Sequence, residues 1–319
     1  MSNKFYHGIM FHHFHDNKKH KKSEGSISKD DFYKIIKFIG KKNILNASEF
    51  FLRLKEKSLK SNHVCITFDD ALKSQFDIAM PVLQDLNIKC YYFVYSSLFT
   101  NEPDLLEVYR FFRNNFYKNN NEFYREFYKL LNTKLDSFFS LKTKIIKEKK
   151  NQFPFYSFED IKFRLVRKYL LSNDKYKKIM NKLFEIKNFK PSKYFNKLFV
   201  NKKDLIKIDS MGHTIGLHSH THPTFIEGLS KKKQRIEYEK NRTILAKILN
   251  KNKNSFFSMS HPCGSYSNST LQILKDLRVN LGFKQMMKVD KNRGMSRINN
   301  SHLEIAREDH TTILKKIIK

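Results

Sequence analysis

VCITFDD, residues 64–70, is an apolar run of β-branched and aromatic residues that ends in two adjacent carboxylates. Such a run predicts a short buried strand, because these side chains fit the pleated surface of a sheet. A stretch with helical spacing follows at 72–86, and IKCYYFVY (88–95) is the next apolar run. A strand, a helix and a second strand in succession predict parallel βαβ units.

The same alternation is found on both sides of this stretch. FYHGIMF (5–11) predicts an earlier strand, while HTIGLH (213–218) and SFFSM (255–259) predict later ones. Two further short strands are predicted over 281–285 and 303–306. The pattern as a whole predicts an α/β fold that is built on a parallel sheet.

Residues 100–208 have a different character. Phe and Tyr recur at helical spacing among Lys, Glu and Asn, as in VYRFFRNNFYKNNNEFYREFYKLL (108–131). This pattern predicts a helical insertion of about a hundred residues within a single domain that spans residues 1–319. We interpret the aromatic stripes as internal packing, with a lid over a substrate cleft as the alternative.

The charge of the chain is strongly unbalanced. Its 319 residues include 62 Lys and Arg against 31 Asp and Glu, which gives a formal net charge of +31. An excess this large favours anionic partners such as phosphates, sugar nucleotides or glycolipid head groups. The lysines are spread along the whole chain, so a compositional bias with solvated lysines explains them as well. Because no nucleic-acid-reading motif is recognised, we expect no nucleic-acid partner.

The cysteines and the apolar segments indicate a compartment. Cys65, Cys90 and Cys263 are odd in number and far apart, which predicts neither a disulfide framework nor a zinc finger. The first residues lack an uninterrupted apolar core of signal-peptide length, and no stretch approaches the ~20 apolar residues of a transmembrane helix. We therefore expect a reduced, cytoplasmic protein whose contact with a membrane would be peripheral.

GLHSHTHPTF (216–225) places three alternating histidines after a predicted strand. A bend there can bring His218 and His222 onto one cation, since neutral imidazoles bind zinc and related metals well. Asp69 and Asp70 end another strand of the same sheet, and ligands of parallel sheets collect at the carboxyl ends of the strands. Two histidines with one aspartate leave positions open for water and substrate, while the second aspartate can take a proton from that water. The alternative is a surface loop of histidines and a turn that uses an aspartate as a cap.

TFDD (67–70) and HSHTH (218–222) together resemble the first two motifs of the polysaccharide deacetylases of the NodB-homology class, carbohydrate esterase family 4. The resemblance implies an incomplete (β/α)7 barrel. It also implies a hydrolase that depends on a divalent metal ion, with Zn²⁺ as the expected metal, and that removes acetyl groups from N-acetylated sugars. The roles that it implies are catalytic base for Asp69, metal ligand for Asp70, His218 and His222, and support of the loop for Ser219 or Thr221.

The third motif of the family is present in an altered form, MSHPCGSY (259–266). Pro262 and Gly264 keep their places, so the resemblance implies that the backbone N–H of Cys263 faces the oxyanion. Ser260 stands where the family has an arginine, which is similar to the branch that acts on poly-N-acetylglucosamine. The loss of this arginine leaves open how Asp69 is oriented and how its pKa is set.

The remaining site residues rest on weaker matches. His302 is the first candidate for the acid that protonates the leaving amine, and His310 is the second. MFHHFHD (10–16) resembles the opening of the same branch, which implies that His12 or His13 lines the cleft. Arg297 resembles an arginine of that branch and is expected to pair with a carboxylate or with a substrate anion.

The resemblance covers about 5–98 and 205–310 and leaves the insertion aside. It predicts removal of an N-acetyl group from an amino sugar, in a glycan or glycan precursor of cell-surface polysaccharide biosynthesis. A phosphate-linked precursor would suit the lysines. Three alternatives stay open: hydrolysis of another C–N bond in a cyclic amide or ureide, an inactive glycan-binding homologue, and a basic nucleic-acid binder.

Overall fold

A seven-stranded parallel sheet forms the centre of the computed structural model, which describes residues 5–153, 156–284, 299 and 301–318. The strands are β1 (Gly8–Phe11), β2 (Cys65–Phe68), β3 (Tyr91–Val94), β4 (Thr214–Leu217), β5 (Ser258–Ser260), β6 (Leu281–Phe283) and β7 (Arg307–Asp309). Across the sheet they follow the order β6-β5-β4-β3-β2-β1-β7, and all neighbours are parallel. The segments that follow β1, β2, β4 and β5 therefore leave the sheet at one edge.

The two outer strands approach each other, so the sheet is a nearly closed barrel. Phe283, at the end of β6, forms a parallel bridge with Ile305, two residues before β7. The N–H of Lys284 donates to the carbonyl of Ile305 at 2.9 Å, and the N–H of Ile305 donates to the carbonyl of Gly282 at 2.9 Å. This arrangement confirms the incomplete (β/α)7 barrel that was predicted from the motifs.

Helices connect the strands and make up the insertion. The helices in the described part of the chain are α1 (Lys29–Ile39), α2 (Ala47–Lys55), α3 (Met80–Asp85), α4 (Leu106–Asn115), α5 (Asn120–Leu131), α6 (Asp136–Leu141), α7 (Thr143–Gln152), α8 (Phe158–Tyr169), α9 (Asn173–Ile186), α10 (Phe195–Leu198), α11 (Lys202–Ser210), α12 (Lys231–Leu249), α13 (Asn268–Asp276) and α14 (His310–Ile318). None of the described helices has both the length and the apolar character needed to cross a membrane.

The chain forms two compact units. The first consists of Met1–Asp104 and Phe199–Lys319 and contains the whole sheet, and the second is Leu105–Leu198. The second unit holds α4 to α10, which all lie inside the range 100–208. The description of residues 1–319 as one catalytic domain with an insertion over 100–208 stays a proposal.

Aromatic rings fill the interior of the second unit. Phe112, Phe127 and Phe163 are buried there. The ring centroids of Phe127 and Phe163 lie 5.0 Å apart, and those of Phe112 and Phe184 lie 4.7 Å apart, both edge to face. Such geometry is favourable because the positive edge of one ring meets the negative face of the other. The recurring rings of this segment therefore pack against one another.

The later strands begin and end differently from their predicted positions. β5 is Ser258–Ser260, whereas a strand was predicted over 255–259. Lys253–Ser255 instead form a turn of 3₁₀ helix, because the side chain of Asn252 accepts a hydrogen bond from a backbone N–H of this turn. The strand predicted over 281–285 is observed as β6, and residue 285 lies outside the described residues.

The last strand is Arg307–Asp309 and not the apolar run 303–306 that was predicted. Its residues are charged and nevertheless buried. Arg307 forms an ion pair with Asp69 at 2.6 Å, and Lys316 reaches Glu308 at 3.0 Å. A buried charge is stable only where a partner neutralises it, and a search for apolar runs misses such a strand.

Acid should destabilise the fold through His213, which precedes β4. This residue is 3% exposed, and the N–H of Cys90 donates to its Nδ1 at 3.2 Å. Burial lowers the pKa of His213 from 6.5 to about 4. Between these pH values the unfolded chain binds the additional proton, so stability falls as the pH decreases through this window.

Between pH 6.5 and pH 4 the parent should lose unfolding free energy on the order of 3 kcal/mol through His213, and we expect His213→Asn to remove this loss. Urea unfolding across this range measures it. His302→Asn, at an exposed position, serves as the control and should keep the parental slope. An unchanged slope in His213→Asn would contradict the assignment.

Candidate metal centre

The two carboxylates lie in a tight turn directly after β2. The backbone φ is 74° at Asp70 and 53° at Ala71, a left-handed conformation that residues other than glycine adopt only at a cost. Gln75 holds the turn, since its Nε2 donates to the Asp69 carbonyl at 2.7 Å and its Oε1 accepts from the Leu72 N–H at 3.2 Å. Asp69 and Asp70 are 2% and 6% exposed, so both are fixed in a buried position.

The histidine loop follows β4 at the same edge of the sheet. The N–H of His218 donates to Oδ1 of Asn241 on α12 at 3.0 Å, and Nδ2 of Asn241 donates to the carbonyl of Val94 at 2.9 Å. The chain then bends at Ser219 and His222, whose φ values are 62° and 52°. The Ser219 hydroxyl supports the bend, because it accepts from the N–H of His222 at 3.1 Å.

Glu237, also on α12, clamps the middle of this loop. Its Oε2 accepts from the backbone N–H groups of His220 and Thr221 at 2.9 and 2.7 Å, and its Oε1 accepts from the Thr221 hydroxyl at 2.7 Å. Nδ1 of His220 lies 2.9 Å from the hydroxyl of Ser96. The middle histidine therefore anchors the loop, while the outer two turn towards Asp70.

Asp70, His218 and His222 converge on one point. Their candidate ligand atoms lie within 4.8 Å of one another, and all three residues are buried. Nε2 of each histidine lies 3.3 Å from Oδ1 of Asp70, an oxygen that has no hydrogen-bond partner among the described residues. Nδ1 of His218 lies 2.8 Å from the carbonyl of Ser260, which accepts a hydrogen bond from the Nδ1–H tautomer, and in this tautomer Nε2 carries the lone pair.

These residues fit a divalent metal ion. A lone pair on Nε2 repels a carboxylate oxygen unless a positive charge lies between them. Burial alone would raise the pKa of Asp70, but the imidazoles of His222, His218 and His12 outweigh it, so this pKa is lowered. Burial alone would lower the pKa of His218, but Asp70 and Asp69 raise it. These shifts show that the carboxylates and the imidazoles interact strongly, and a set of one carboxylate and two neutral imidazoles is a ligand set for zinc.

Arg307 holds the other carboxylate and was missed by the sequence analysis. Its Nη1 donates to Oδ1 of Asp69 at 2.8 Å and its Nη2 donates to Oδ2 at 2.6 Å. Nη2 also donates to the Ser260 hydroxyl at 2.8 Å, and Nη1 to the Thr67 hydroxyl at 3.1 Å. Burial would raise the pKa of Asp69, but Arg307 outweighs it and the pKa is lowered. The third motif of the family has an arginine at the position of Ser260. In this protein Arg307, on β7, contacts Asp69 instead.

Two small residues make room for the Arg307 side chain. A Cβ atom on Gly8, in the neighbouring β1, would lie 2.6 Å from Cγ of Arg307. Ser260 places a hydroxyl beside the guanidinium, at the position where the family motif has its own arginine. A glycine in a buried strand is a sequence signal for such a close approach, although it does not identify the residue that approaches.

One of the predicted cleft residues, His12, lies near both aspartates. Nε2 of His12 is 3.7 Å from Oδ2 of Asp69 and 3.8 Å from Oδ2 of Asp70, and its side chain is 18% exposed. The ring of His13 stacks on that of His12, with centroids 6.1 Å apart. His12 therefore lies within ion-pair distance of both carboxylates.

The Pro262–Gly264 turn follows β5 at the same edge of the sheet. Cys263 is exposed, and its φ of 51° places it in the left-handed region. The N–H of Gly264 donates to the carbonyl of His261 at 2.9 Å, and the N–H of Ser265 donates to that of Pro262 at 3.0 Å. These bonds fix the backbone around Cys263.

The remaining predicted residues lie elsewhere. His302 is exposed, its carbonyl accepts from the Gly282 N–H at 2.8 Å, and it forms no ion pair with either aspartate within the described residues. The His310 ring is buried, with its nitrogens 3.1 and 2.8 Å from the carbonyls of Met10 and Gly25. Arg297 lies outside the described residues.

The Glu237 clamp leads to a prediction about metal affinity. Glu237→Gln keeps the size of the side chain, but its amide nitrogen cannot accept the hydrogen bonds that the backbone N–H groups of the loop donate. The two outer histidines are therefore held less firmly. We expect the zinc affinity to fall about tenfold or more, as measured by competition with a chelating dye. Glu239→Gln, an exposed position on the same helix, is the matched control. Equal zinc affinity in both variants would contradict the clamp.

Part of the chain is similar to a known protein family. Residues 155–282 match the family model described as polysaccharide deacetylase. The matched range contains the histidine loop and the Pro262–Gly264 turn, while Asp69 and Asp70 precede it. No curated protein matches the chain.

Solved structures share the fold at low sequence identity. The Streptococcus pyogenes deacetylase PplD in complex with acetate has a TM-score of 0.54 at 16% identity, over 96% of this chain and 92% of that one. IcaB from Ammonifex degensii has a TM-score of 0.54 at 11% identity, over 97% and 96%. A de-N-acetylase from Aggregatibacter actinomycetemcomitans has a TM-score of 0.53 at 12% identity, over 98% of both chains. Together, these findings show that residues 155–282 are similar to the polysaccharide deacetylase family and that the chain shares the fold of these solved structures.

Proposed function

We propose that the protein is a metal-dependent hydrolase that removes the N-acetyl group from an amino sugar, in a glycan or glycan precursor of cell-surface polysaccharide biosynthesis. The observation that carries this proposal is the convergence of Asp70, His218 and His222 beside a second, separately held carboxylate, Asp69. The family match supports the reaction class. The phosphate linkage of the sugar and the cytoplasmic location stay predictions from the sequence.

Asp70, His218 and His222 would hold the metal, with zinc as the ion that their donor atoms suit best. When bound, the cation would supply Lewis-acid polarisation of the acetamide carbonyl and lower the pKa of a nearby water. His218 is oriented for this role by its bond to the Ser260 carbonyl, and His222 by its bond to Ser219.

Asp69 is the base that takes the proton from the attacking water. A base must be ionised at the working pH, and Arg307 keeps Asp69 so by lowering its pKa against the effect of burial. Arg307 occupies both carboxylate oxygens. The carboxylate is therefore fixed in orientation, and its remaining lone pairs can accept the proton.

The backbone N–H of Cys263 donates to the oxyanion that develops on the carbonyl oxygen. Pro262 and Gly264 hold this peptide in its turn, and the left-handed backbone at Cys263 supports the assignment because strained backbone clusters at functional sites. A preorganised donor of this kind typically contributes about a hundredfold or more to the rate.

The departing amine requires a proton donor. His12 is better located for this role than His302, because its Nε2 lies within 4 Å of both aspartates while part of its side chain stays open to solvent. We assign the role to His12 and keep His302 as the alternative.

A set of four substitutions tests these roles. We expect Asp70→Asn to lose zinc and activity together. Asp69→Asn and His12→Gln should retain zinc, while acetate release from N-acetylglucosamine oligomers falls by about a hundredfold or more, the size expected for a lost acid or base. His302→Gln should retain the parental rate, and a loss of activity in His302→Gln but not in His12→Gln would instead assign the proton donor to His302.

The same assay separates the alternatives. Elemental analysis of the purified variants measures zinc, and acetate release measures turnover. Hydrolysis of cyclic amides but not of N-acetylated sugars would replace the proposed reaction with another C–N hydrolysis. Sugar binding without acetate release, in the zinc-loaded parent, would indicate an inactive glycan-binding homologue. An active Asp69→Asn variant would refute the assignment of the base.

Arg307→Lys tests how the base is held. Lysine keeps the charge but cannot form two parallel bonds to one carboxylate, so Asp69 loses both its orientation and part of its lowered pKa. We expect turnover to fall about tenfold or more with zinc content unchanged, and the acidic limb of the pH–rate profile to move to higher pH. Arg235→Lys, on α12, is the control. A parental profile in Arg307→Lys would contradict the role.

A further inference from the structure

An exposed apolar surface lies in the second unit, where the turn between α6 and α7 meets the end of α8. Leu141 is 83% exposed, Tyr169 49% and Leu170 41%. Nζ of Lys142 lies 5.1 Å from the centroid of the Tyr169 ring, so these two segments are neighbours. Nζ of Lys168 lies 5.3 Å from the same ring. We call Leu141, Lys142, Lys168, Tyr169 and Leu170 the Leu141 patch.

The Leu141 patch lies outside the small core formed by its own helices. That core consists of Ile146, Ile161 and Leu165, on α7 and α8. Single exposed apolar residues are common and require no explanation. Here three occur together on two neighbouring segments, and covering them with an apolar phase is favourable.

The charge around the patch selects the chemistry of the partner. Residues 105–198 contain 23 Lys and Arg against nine Asp and Glu. Residues 142–150, which start at Lys142 of the patch, contain five lysines and a single acidic residue, Glu148. A partner must therefore offer negative charge to the lysines and an apolar phase to the leucines at the same time.

We propose that the Leu141 patch docks the protein onto the surface of a lipid bilayer that contains anionic lipids. Leu141, Tyr169 and Leu170 lie at the boundary between head groups and acyl chains, while Lys142 and Lys168 contact lipid phosphates, with their aliphatic stems on the apolar side. Tyrosine is suited to this boundary because one end of its ring is apolar and the other polar.

Two other occupants fit less well. An anionic polymer such as RNA or polyphosphate satisfies the lysines but offers no apolar phase for Leu141. A second copy of this chain covers the leucines but brings two sets of lysines together, and such like-charge contacts are unfavourable. The proposal does not depend on the deacetylase site, so Asp70→Asn should bind vesicles as the parent does.

The chain contains no tryptophan, which allows a test with a site-specific reporter. Leu141→Trp places one fluorophore in the patch, and Ile186→Trp places one on α9 at a similarly exposed apolar position, 54% exposed. We expect the emission of Leu141→Trp to shift to shorter wavelength with vesicles of phosphatidylcholine and phosphatidylglycerol in equal amounts. Vesicles of phosphatidylcholine alone should leave it unchanged. Ile186→Trp should show no shift with either.

Co-sedimentation of the full chain with the same vesicles gives the energetic test. Leu141→Ser should weaken binding about tenfold, and Lys142→Gln about fivefold, whereas Ile186→Ser should bind as the parent does. Equal emission shifts at both tryptophans, or vesicle binding unaffected by Leu141→Ser, would overturn the proposal in favour of general attraction by lysines. Absence of vesicle binding would also overturn it, as would a parental dimer that Leu141→Ser converts to monomer.

Discussion

Two adjacent buried carboxylates follow β2, and each must be paired with a positively charged group. This constraint determines the arrangement of the rest of the site. Asp69 meets Arg307, which is fully buried and occupies both of its oxygens. Asp70 turns the other way, towards His218 and His222. The strand order permits this separation, because β2 lies between β1 and β3, with β7 beyond β1 and β4 beyond β3. This separation fits the proposed roles, in which Asp69 is the base and Asp70 a metal ligand, because each buried carboxylate has positively charged or imidazole side chains beside it.

The site also concentrates backbone strain. Asp70, Ala71, Ser219, His222 and Cys263 all have positive φ without being glycine. Such conformations cost of order 1–3 kcal/mol each, and they persist only where the surroundings hold them. The hydrogen bonds of Gln75, Asn241 and Glu237 provide that support at the first two turns. The sharp turns point Asp70 and the two outer histidines towards one another, a geometry that extended strand ends would not produce.

The sequence predicted the parallel sheet and the two histidines that converge on Asp70, because both depend on local patterns, while the closure into a barrel was implied by the family resemblance. Apolar runs identified most of the strands, and the spacing of the histidines indicated which two share a face. Arg307 was missed for a physical reason: β7 consists of three charged residues that are buried only through partners far away in the chain. The motif at 10–16 predicted that His12 or His13 lines the cleft, but the position of His12 beside both aspartates depends on how β1 pairs with β2. Glu237 and Asn241 were missed because they are ordinary polar residues of a long helix, recognisable only once that helix is packed beside the histidine loop.

The central claim is that Asp70, His218 and His222 bind one cation. Anomalous X-ray diffraction at the zinc edge, from crystals grown with zinc, tests it most directly. The account predicts one strong peak within bonding distance, about 2.0–2.2 Å, of Nε2 of both histidines and a carboxylate oxygen of Asp70. A zinc peak bound by other residues, with these three side chains in their present positions and no peak between them, would contradict it.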